Sequence, residues 1–289
     1  MQPAELLVGN GSTQLIYLLC AALRPRTALV IGPAFSEYTN ALTLVGGDVR
    51  RHCFTEDSSF QFSTEKLLAQ WKENCDLLVI ATPNSVTGQL ISKIELEKIA
   101  RLALIRKKFV VIDEAFIDFV EDQSVKMLVR HNPFLIVLRS LTKYYALPGL
   151  RLGYLIGEAG RVAQLADYQE PWSINGPAMS VALVCLQDGG FTAKTKRWLE
   201  RERQFLFDRV RTVEGLHPFP SKVNFLLVKI AKHGVDALQL RSFLLRKKIL
   251  IRACNTFTEL GGDYFRVAVR RRKDNRRLLA ALSQWTPLK

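Results

Sequence analysis

A lysine set between a buried apolar run and an arginine is the first residue in this chain that could do covalent chemistry. It lies in Arg139-Ser140-Leu141-Thr142-Lys143-Tyr144-Tyr145-Ala146-Leu147-Pro148-Gly149-Leu150-Arg151-Leu152-Gly153-Tyr154, directly after the run Leu135–Leu138. Partial burial beside another cation lowers an amine's pKa and frees it as a nucleophile, the environment that a Schiff-base lysine needs. Ser140 and Arg151 carry a hydroxyl and a guanidinium that could hold a phosphate beside it. Taken alone, a lysine is more often surface decoration, so its surroundings decide.

Two other groups fit the same chemistry. Gly9-Asn10-Gly11-Ser12-Thr13 opens a helix near the start of the chain. Free backbone N–H groups at a helix N-terminus, with glycine allowing close approach, form a phosphate cradle. The same residues also describe an ordinary turn and cap. Asp113, in Ile112-Asp113-Glu114-Ala115-Phe116, is a carboxylate directly after an apolar run. A carboxylate at a buried strand end costs free energy unless a cation or donor meets it. A pyridinium nitrogen would serve; so would a helix-capping role in the following loop.

Positioning these groups needs strands alternating with helices. Ala28–Ile31, Leu77–Ala81, Phe109–Ile112, Leu135–Leu138 and Leu152–Ile156 read as buried strands, with helices such as Thr13–Leu23 and Ile94–Ile105 between them. That alternation predicts an α/β fold with a mostly parallel sheet covered on both faces, and chemistry at the carboxyl edge of the strands. After Asp188-Gly189-Gly190 the pattern changes to a long charged helix (Thr192–Val213), three strand-like segments (Val223–Ile230, Ile249–Ala253, Tyr264–Val269) and helices over Val235–Lys247 and Asn275–Trp285. This predicts a large domain over 1–190 and a smaller C-terminal α+β domain over 191–289.

Composition narrows the partners. At 48% hydrophobic and 24% charged residues, the 289-residue chain is too apolar to be disordered. No apolar run reaches the roughly 18 residues of a membrane span, so no membrane partner is expected. Five scattered cysteines, none in a C-x-x-C pair, and no basic leader predict a reduced cytoplasmic protein without a disulfide or metal framework. The net charge of +14 is uneven: residues 1–190 carry 18 Lys and Arg against 19 Asp and Glu, whereas residues 191–289 carry 23 against 8. A basic third of this kind suits anionic small molecules, a solvated helix face, nucleic acid or a membrane surface. No nucleic-acid-binding motif accompanies it, so no nucleic-acid partner is expected.

The stretch Arg139–Tyr154 resembles the cofactor-lysine motif of fold-type I pyridoxal-phosphate (PLP) enzymes, and Gly9–Thr13 and Asp113–Phe116 occur in that family's order and spacing. Pro33-Ala34-Phe35-Ser36-Glu37-Tyr38, Asp113–Phe119 and Pro171-Trp172-Ser173-Ile174-Asn175 look most similar to its phosphothreonine decarboxylase branch in cobalamin biosynthesis, close to the histidinol-phosphate aminotransferases. The resemblance covers almost the whole chain. It implies PLP as cofactor, held by Lys143 as a Schiff base, with Asp113 on the ring nitrogen and Phe35 stacked on the ring. Gly11, Ser12, Ser140 and Arg151 would hold the cofactor phosphate. Arg252 and Arg266 would grip the anionic ends of a small phosphorylated amino acid, with Arg270 a further candidate and Arg271-Arg272-Lys273 read as solvated surface. A homodimer is implied, acting as decarboxylase or, alternatively, as an aminotransferase of a phosphorylated substrate.

Two positions depart from the family pattern. The family's Pro-Asn-Asn-Pro-Thr-Gly loop reads Pro83-Asn84-Ser85-Val86-Thr87-Gly88, putting Ser85 where an amide would meet the ring hydroxyl. Phe116 stands where related aminotransferases carry a Tyr. In the family several tens of residues precede the Gly-Asn-Gly motif, against eight here. The expectation is a fragment or alternative-start product that binds PLP and turns over weakly.

Overall fold

Continuous apolar runs become fully covered strands, and the polar residues at their ends collect along one edge. The computed structural model describes residues 1–231 and 235–285. The chain divides into two compact units, one built from Met1–Ser85 and Leu90–Asp188, the other from Val86–Gln89 and the chain from Gly189 onward.

The first unit carries strands β1 (Leu6–Asn10), β2 (Thr27–Gly32), β3 (Asp48–Cys53), β4 (Leu77–Ala81), β5 (Phe109–Asp113), β6 (Leu135–Ser140) and β7 (Leu152–Ile156). Its helices are α1 (Gly11–Leu23), α2 (Ser36–Leu44), α3 (Thr64–Gln70), α4 (Lys93–Arg106), α5 (Leu141–Tyr144), α6 (Ala159–Ala166) and α7 (Gly176–Gln187). The seven strands form one sheet in the order β1-β7-β6-β5-β4-β2-β3. Neighbours from β3 to β6 pair in parallel, while β7 runs antiparallel to both β6 and β1.

Both faces are covered. Leu15 and Leu19 of α1, Leu42 of α2 and Leu165 of α6 pack on Val79, Val111 and Leu138. On the other face, Leu67 of α3 and Leu96 and Ile99 of α4 pack on Ile80, Ile112 and Val137. Every residue of β4 is buried, as expected of a strand covered twice. Each such aliphatic side chain contributes about 1.5–3 kcal/mol relative to exposure. Edge strand β3, by contrast, has the polar sequence Asp-Val-Arg-Arg-His-Cys.

The second unit carries α8 (Gly189–Arg211), β8 (Leu216–Pro218), β9 (Phe225–Ile230), α9 (Ala237–Arg246), β10 (Arg252–Ala253), β11 (Tyr264–Ala268) and α10 (Arg272–Ser283). Its sheet runs β10-β11-β9-β8, antiparallel throughout. The segment expected as a strand over Ile249–Ala253 is reduced to the two residues of β10. Arg272 corrects the reading of Arg271–Lys273 as solvated surface. Its guanidinium binds the buried Glu202 of α8 at 3.0 Å and lies 3.8 Å from the Phe205 ring centroid, locking α10 to α8. Among the described residues no helix is long and apolar enough to cross a membrane.

Candidate active site

Parallel strands deliver their carboxyl ends to one sheet edge, and the candidate residues of the first unit gather there. Gly11 and Ser12 follow β1, Phe35 follows β2, Ser85 follows β4, Asp113 ends β5, and Ser140 and Lys143 end or follow β6. Arg151 immediately precedes β7, whose reversed direction brings its start to the same edge.

Asp113 is 5% exposed and fully engaged. The Tyr38 hydroxyl donates to its Oδ2 at 2.6 Å, and the Ala115 N–H donates to its Oδ1 at 2.8 Å. Burial pushes its pKa up, while these two donors and the positive Lys143 oppose the shift. Burial beside Asp113 in turn holds the Tyr38 hydroxyl well above the usual phenol range. Lys143 is exposed, and its Nζ lies 5.7 Å from the Phe116 ring centroid. Phe35, the residue before α2, meets Tyr38 edge-on at 5.9 Å between ring centroids.

Like the starts of α2 and α10, the start of α1 carries no side-chain cap. Helices α4, α6, α7 and α9 are capped by the side chains of Ser92, Glu158, Asn175 and Asp236, whereas Asn10 makes no such bond to α1. Uncapped N–H groups carry the positive end of the helix dipole. Arg151 lies against them: a Cβ added at Gly11, which has φ +74°, would fall 2.5 Å from Arg151 Nη2. Gly153 brings β7 equally close, since a Cβ there would fall 2.5 Å from the Ser12 nitrogen. The buried Ser140 hydroxyl pairs with Thr142 Oγ1 at 2.8 Å. In the loop after β4, Asn84 Nδ2 donates to the Pro33 carbonyl at 2.9 Å, and Ser85 is half-buried beside it.

In the second unit Arg252 and Arg266 are direct cross-strand partners on β10 and β11. Such partners project from the same sheet face. Both guanidinium groups lie over the Phe257 ring, at 5.8 and 5.7 Å, and Arg266 also covers Phe225 at 4.8 Å. Burial pulls the Arg266 pKa down, and the facing Arg252 charge pulls the same way. Two cations opposed across a strand pair repel, and an anion between them relieves that cost. Arg270 instead faces Asp274 at 3.6 Å.

Tyr38 and Arg139 lie inside the motifs Pro33–Tyr38 and Arg139–Tyr154, where sequence alone gives them no role. Tyr38 stands three residues from Phe35 on the opening turn of α2, and Arg139 opens the lysine motif. Both act through partners distant in sequence, and no local pattern announces those contacts.

Residues 1–282 match the family described as Aminotransferase class I and II. Threonine-phosphate decarboxylase of Salmonella typhimurium is 37% identical over 279 residues, covering 96% of this chain and 76% of that protein. The crystal structure of the histidinol-phosphate aminotransferase from Clostridium acetobutylicum is similar with a TM-score of 0.89 at 28% identity, over 96% of this chain and 83% of that one. L-threonine-O-3-phosphate decarboxylase from Porphyromonas gingivalis shares the fold at a TM-score of 0.85 and 23% identity, over 98% and 83% of the two chains.

Proposed function

The chain belongs to the aminotransferase class I and II family, and from that premise we propose that it is a PLP-dependent carboxy-lyase. Its substrate is L-threonine O-3-phosphate, its products carbon dioxide and (R)-1-aminopropan-2-ol O-2-phosphate, in cobalamin biosynthesis. The observation that carries this reading is the 37% identity to a threonine-phosphate decarboxylase over 96% of the chain.

The donor set fits the cofactor. A pyridine nitrogen calls for a buried carboxylate, which Asp113 supplies with both oxygens already oriented by Tyr38 and Ala115. A phosphate calls for open helix N–H groups, a hydroxyl and a guanidinium, which Gly11, Ser12, Ser140 and Arg151 supply. An aldehyde calls for an amine, and Lys143 follows on the same edge. When bound, PLP supplies an electron sink for the charge that develops at the substrate Cα.

The residues of the chain do the rest. Asp113 would pair with the ring nitrogen and favour its protonated form. Phe35 would cover a ring face. Arg252 and Arg266 are the cations of the second unit suited to the substrate's anionic groups, and the orientation in which the substrate is held decides which bond at Cα is broken. Loss of carboxylate leaves a position at Cα for a proton, which Lys143 Nζ is able to deliver. Holding the Cα–H bond in that orientation instead would give transamination, the second reading, favoured by the likeness to the histidinol-phosphate aminotransferase. The working unit is a homodimer: α7 presents exposed Met179, Leu183, Val184 and Leu186, and Trp172 before it is 97% exposed. Apolar surface of this extent suits a subunit contact.

Incubation with PLP and L-threonine O-3-phosphate tests the reading. Carbon dioxide and the amino-alcohol phosphate are expected. A keto acid without carbon dioxide would transfer the chain to the aminotransferases.

A further inference from the structure

Behind the site, on the opposite face of the same strand ends, lies a buried charged hub. Arg139 has a side chain only 3% exposed. Its Nη1 donates to Glu114 Oε2 at 3.0 Å, and its Nη2 donates to Asp118 Oδ1 at 3.0 Å and to Glu121. Glu114 is also held by the Ser124 hydroxyl at 2.6 Å and the Val125 N–H at 2.8 Å. Lys126 pairs with Glu121. Burial pushes the carboxyl pKa of Glu114 and of Asp118 up, against the pull of Arg139.

Glu114 and Arg139 directly adjoin the candidate site residues Asp113 and Ser140 in sequence. Asp113 is registered with Leu138, and Glu114, the residue after β5, donates its backbone N–H to the Leu138 carbonyl at 2.8 Å, so Glu114 and Arg139 stand beside each other at the two strand ends. Alternation along a strand then sends Asp113 and Ser140 to the site face and Glu114 and Arg139 to the opposite face. Asp118 follows Phe116 by two residues, and the Phe116 ring lies beside Lys143. One guanidinium thus ties the end of β5, the end of β6 and the segment Ala115–Val125 together.

We propose that Arg139 is a positioning residue that sets where Lys143, Asp113 and Phe116 stand relative to one another. The proposal rests on reading Lys143 as the cofactor lysine. Three carboxylates around one guanidinium are a costly way to stabilise an interior, since well-packed apolar side chains do as well or better. A planar fork adds fixed directions: it holds several carboxylates at once in one geometry, which an ammonium does not.

Arg139→Lys keeps the charge and loses the fork; Asp118→Asn keeps an acceptor and loses one charged arm. Two readouts are compared with wild type, well below the unfolding transition. One is the rate of tracer acylation of Lys143 in the apoprotein relative to exposed Lys72 and Lys98, read by mass spectrometry. The other is the PLP dissociation constant. We expect a change of about threefold or more in the relative Lys143 rate and about tenfold weaker PLP binding, the scale of one charge-assisted hydrogen bond. Variants with a lowered unfolding midpoint but unchanged Lys143 rate and PLP affinity would reduce Arg139 to a stabilising role and overturn the proposal. If Arg139→Lys does not fold, Asp118→Asn decides by the same readouts. A wild-type chain that fails to bind PLP would remove the functional reading, and the acylation rate would still decide the positioning claim.

Discussion

Replacing Tyr38 by Phe removes one hydroxyl from a site that has little else to offer. Tyr38 is 2% exposed and Asp113 5%, so water does not replace the lost donor. The bond removed is a 2.6 Å hydrogen bond to a carboxylate oxygen. A charge-assisted bond of that kind is worth about 1.5–3 kcal/mol. Losing a donor to the anion disfavours the charged form, so the Asp113 carboxyl should climb further. Burial already holds it above 3.8, so the variant moves further in the same direction. An acid with a raised folded-state pKa binds more protons folded than unfolded. Its destabilising contribution is therefore absent below the unfolded value of 3.8 and grows as pH rises toward the folded value. The stability deficit of Tyr38→Phe should be largest at neutral pH and shrink on acidification. Carbon-13 NMR titration of labelled aspartate in the apoprotein reads the shift directly, and urea unfolding at several pH values reads the linkage. An Asp113 midpoint that stays put or falls, or a deficit that grows toward acid, would refute the reasoning.

Four other substitutions probe separate parts of the chain. Arg252→Ala or Arg266→Ala should lower kcat/KM for the phosphorylated substrate by roughly 2–4 kcal/mol of transition-state binding while leaving the cofactor spectrum in place; loss of PLP from either variant would put these arginines at the wrong anion. Ser85→Asn should tighten PLP retention several-fold, about 1 kcal/mol for a regained hydrogen bond to the ring oxygen, and weaker binding measured by equilibrium dialysis would contradict that. Gly153→Ala forces a methyl to 2.5 Å from the Ser12 nitrogen and 2.8 Å from the Arg139 carbonyl, both rigid backbone. Thermal denaturation should show a loss of about 1–3 kcal/mol or more, and an unchanged midpoint would mean that β7 and α1 are less tightly packed than they stand.

The central strands were legible because burial on both faces leaves an uninterrupted apolar run, as in Leu77–Ala81 and Leu152–Ile156, whose bounds agree with the structure. Strand β3 was not, because an edge strand reading Asp-Val-Arg-Arg-His-Cys has no run to recognise. Its partner β2 supplies the register that makes it a strand. The antiparallel direction of β7 was equally invisible, being a property of the connection rather than of Leu152–Ile156 themselves. Lys143 and Asp113 could be singled out because a charged residue after an apolar run is a local signal. Tyr38 and Asp113 are 75 positions apart, and Glu114 and Arg139 are 25 apart. Such pairs arise from strand order and from the turn of α2, which no local spacing encodes. The ion pair of Arg272 is hidden for the same reason: the Glu202 that it binds lies 70 positions earlier.

The account stands or falls on which bond at Cα this chain breaks. The most direct measurement is turnover of carboxyl-labelled [1-13C]L-threonine O-3-phosphate with PLP in deuterium oxide, followed by NMR and mass spectrometry, with Lys143→Ala as control. Labelled carbon dioxide is expected in equal amount to (R)-1-aminopropan-2-ol O-2-phosphate carrying deuterium at C1, with neither product from Lys143→Ala. Retention of the label in a keto acid, or turnover undiminished in Lys143→Ala, would contradict it.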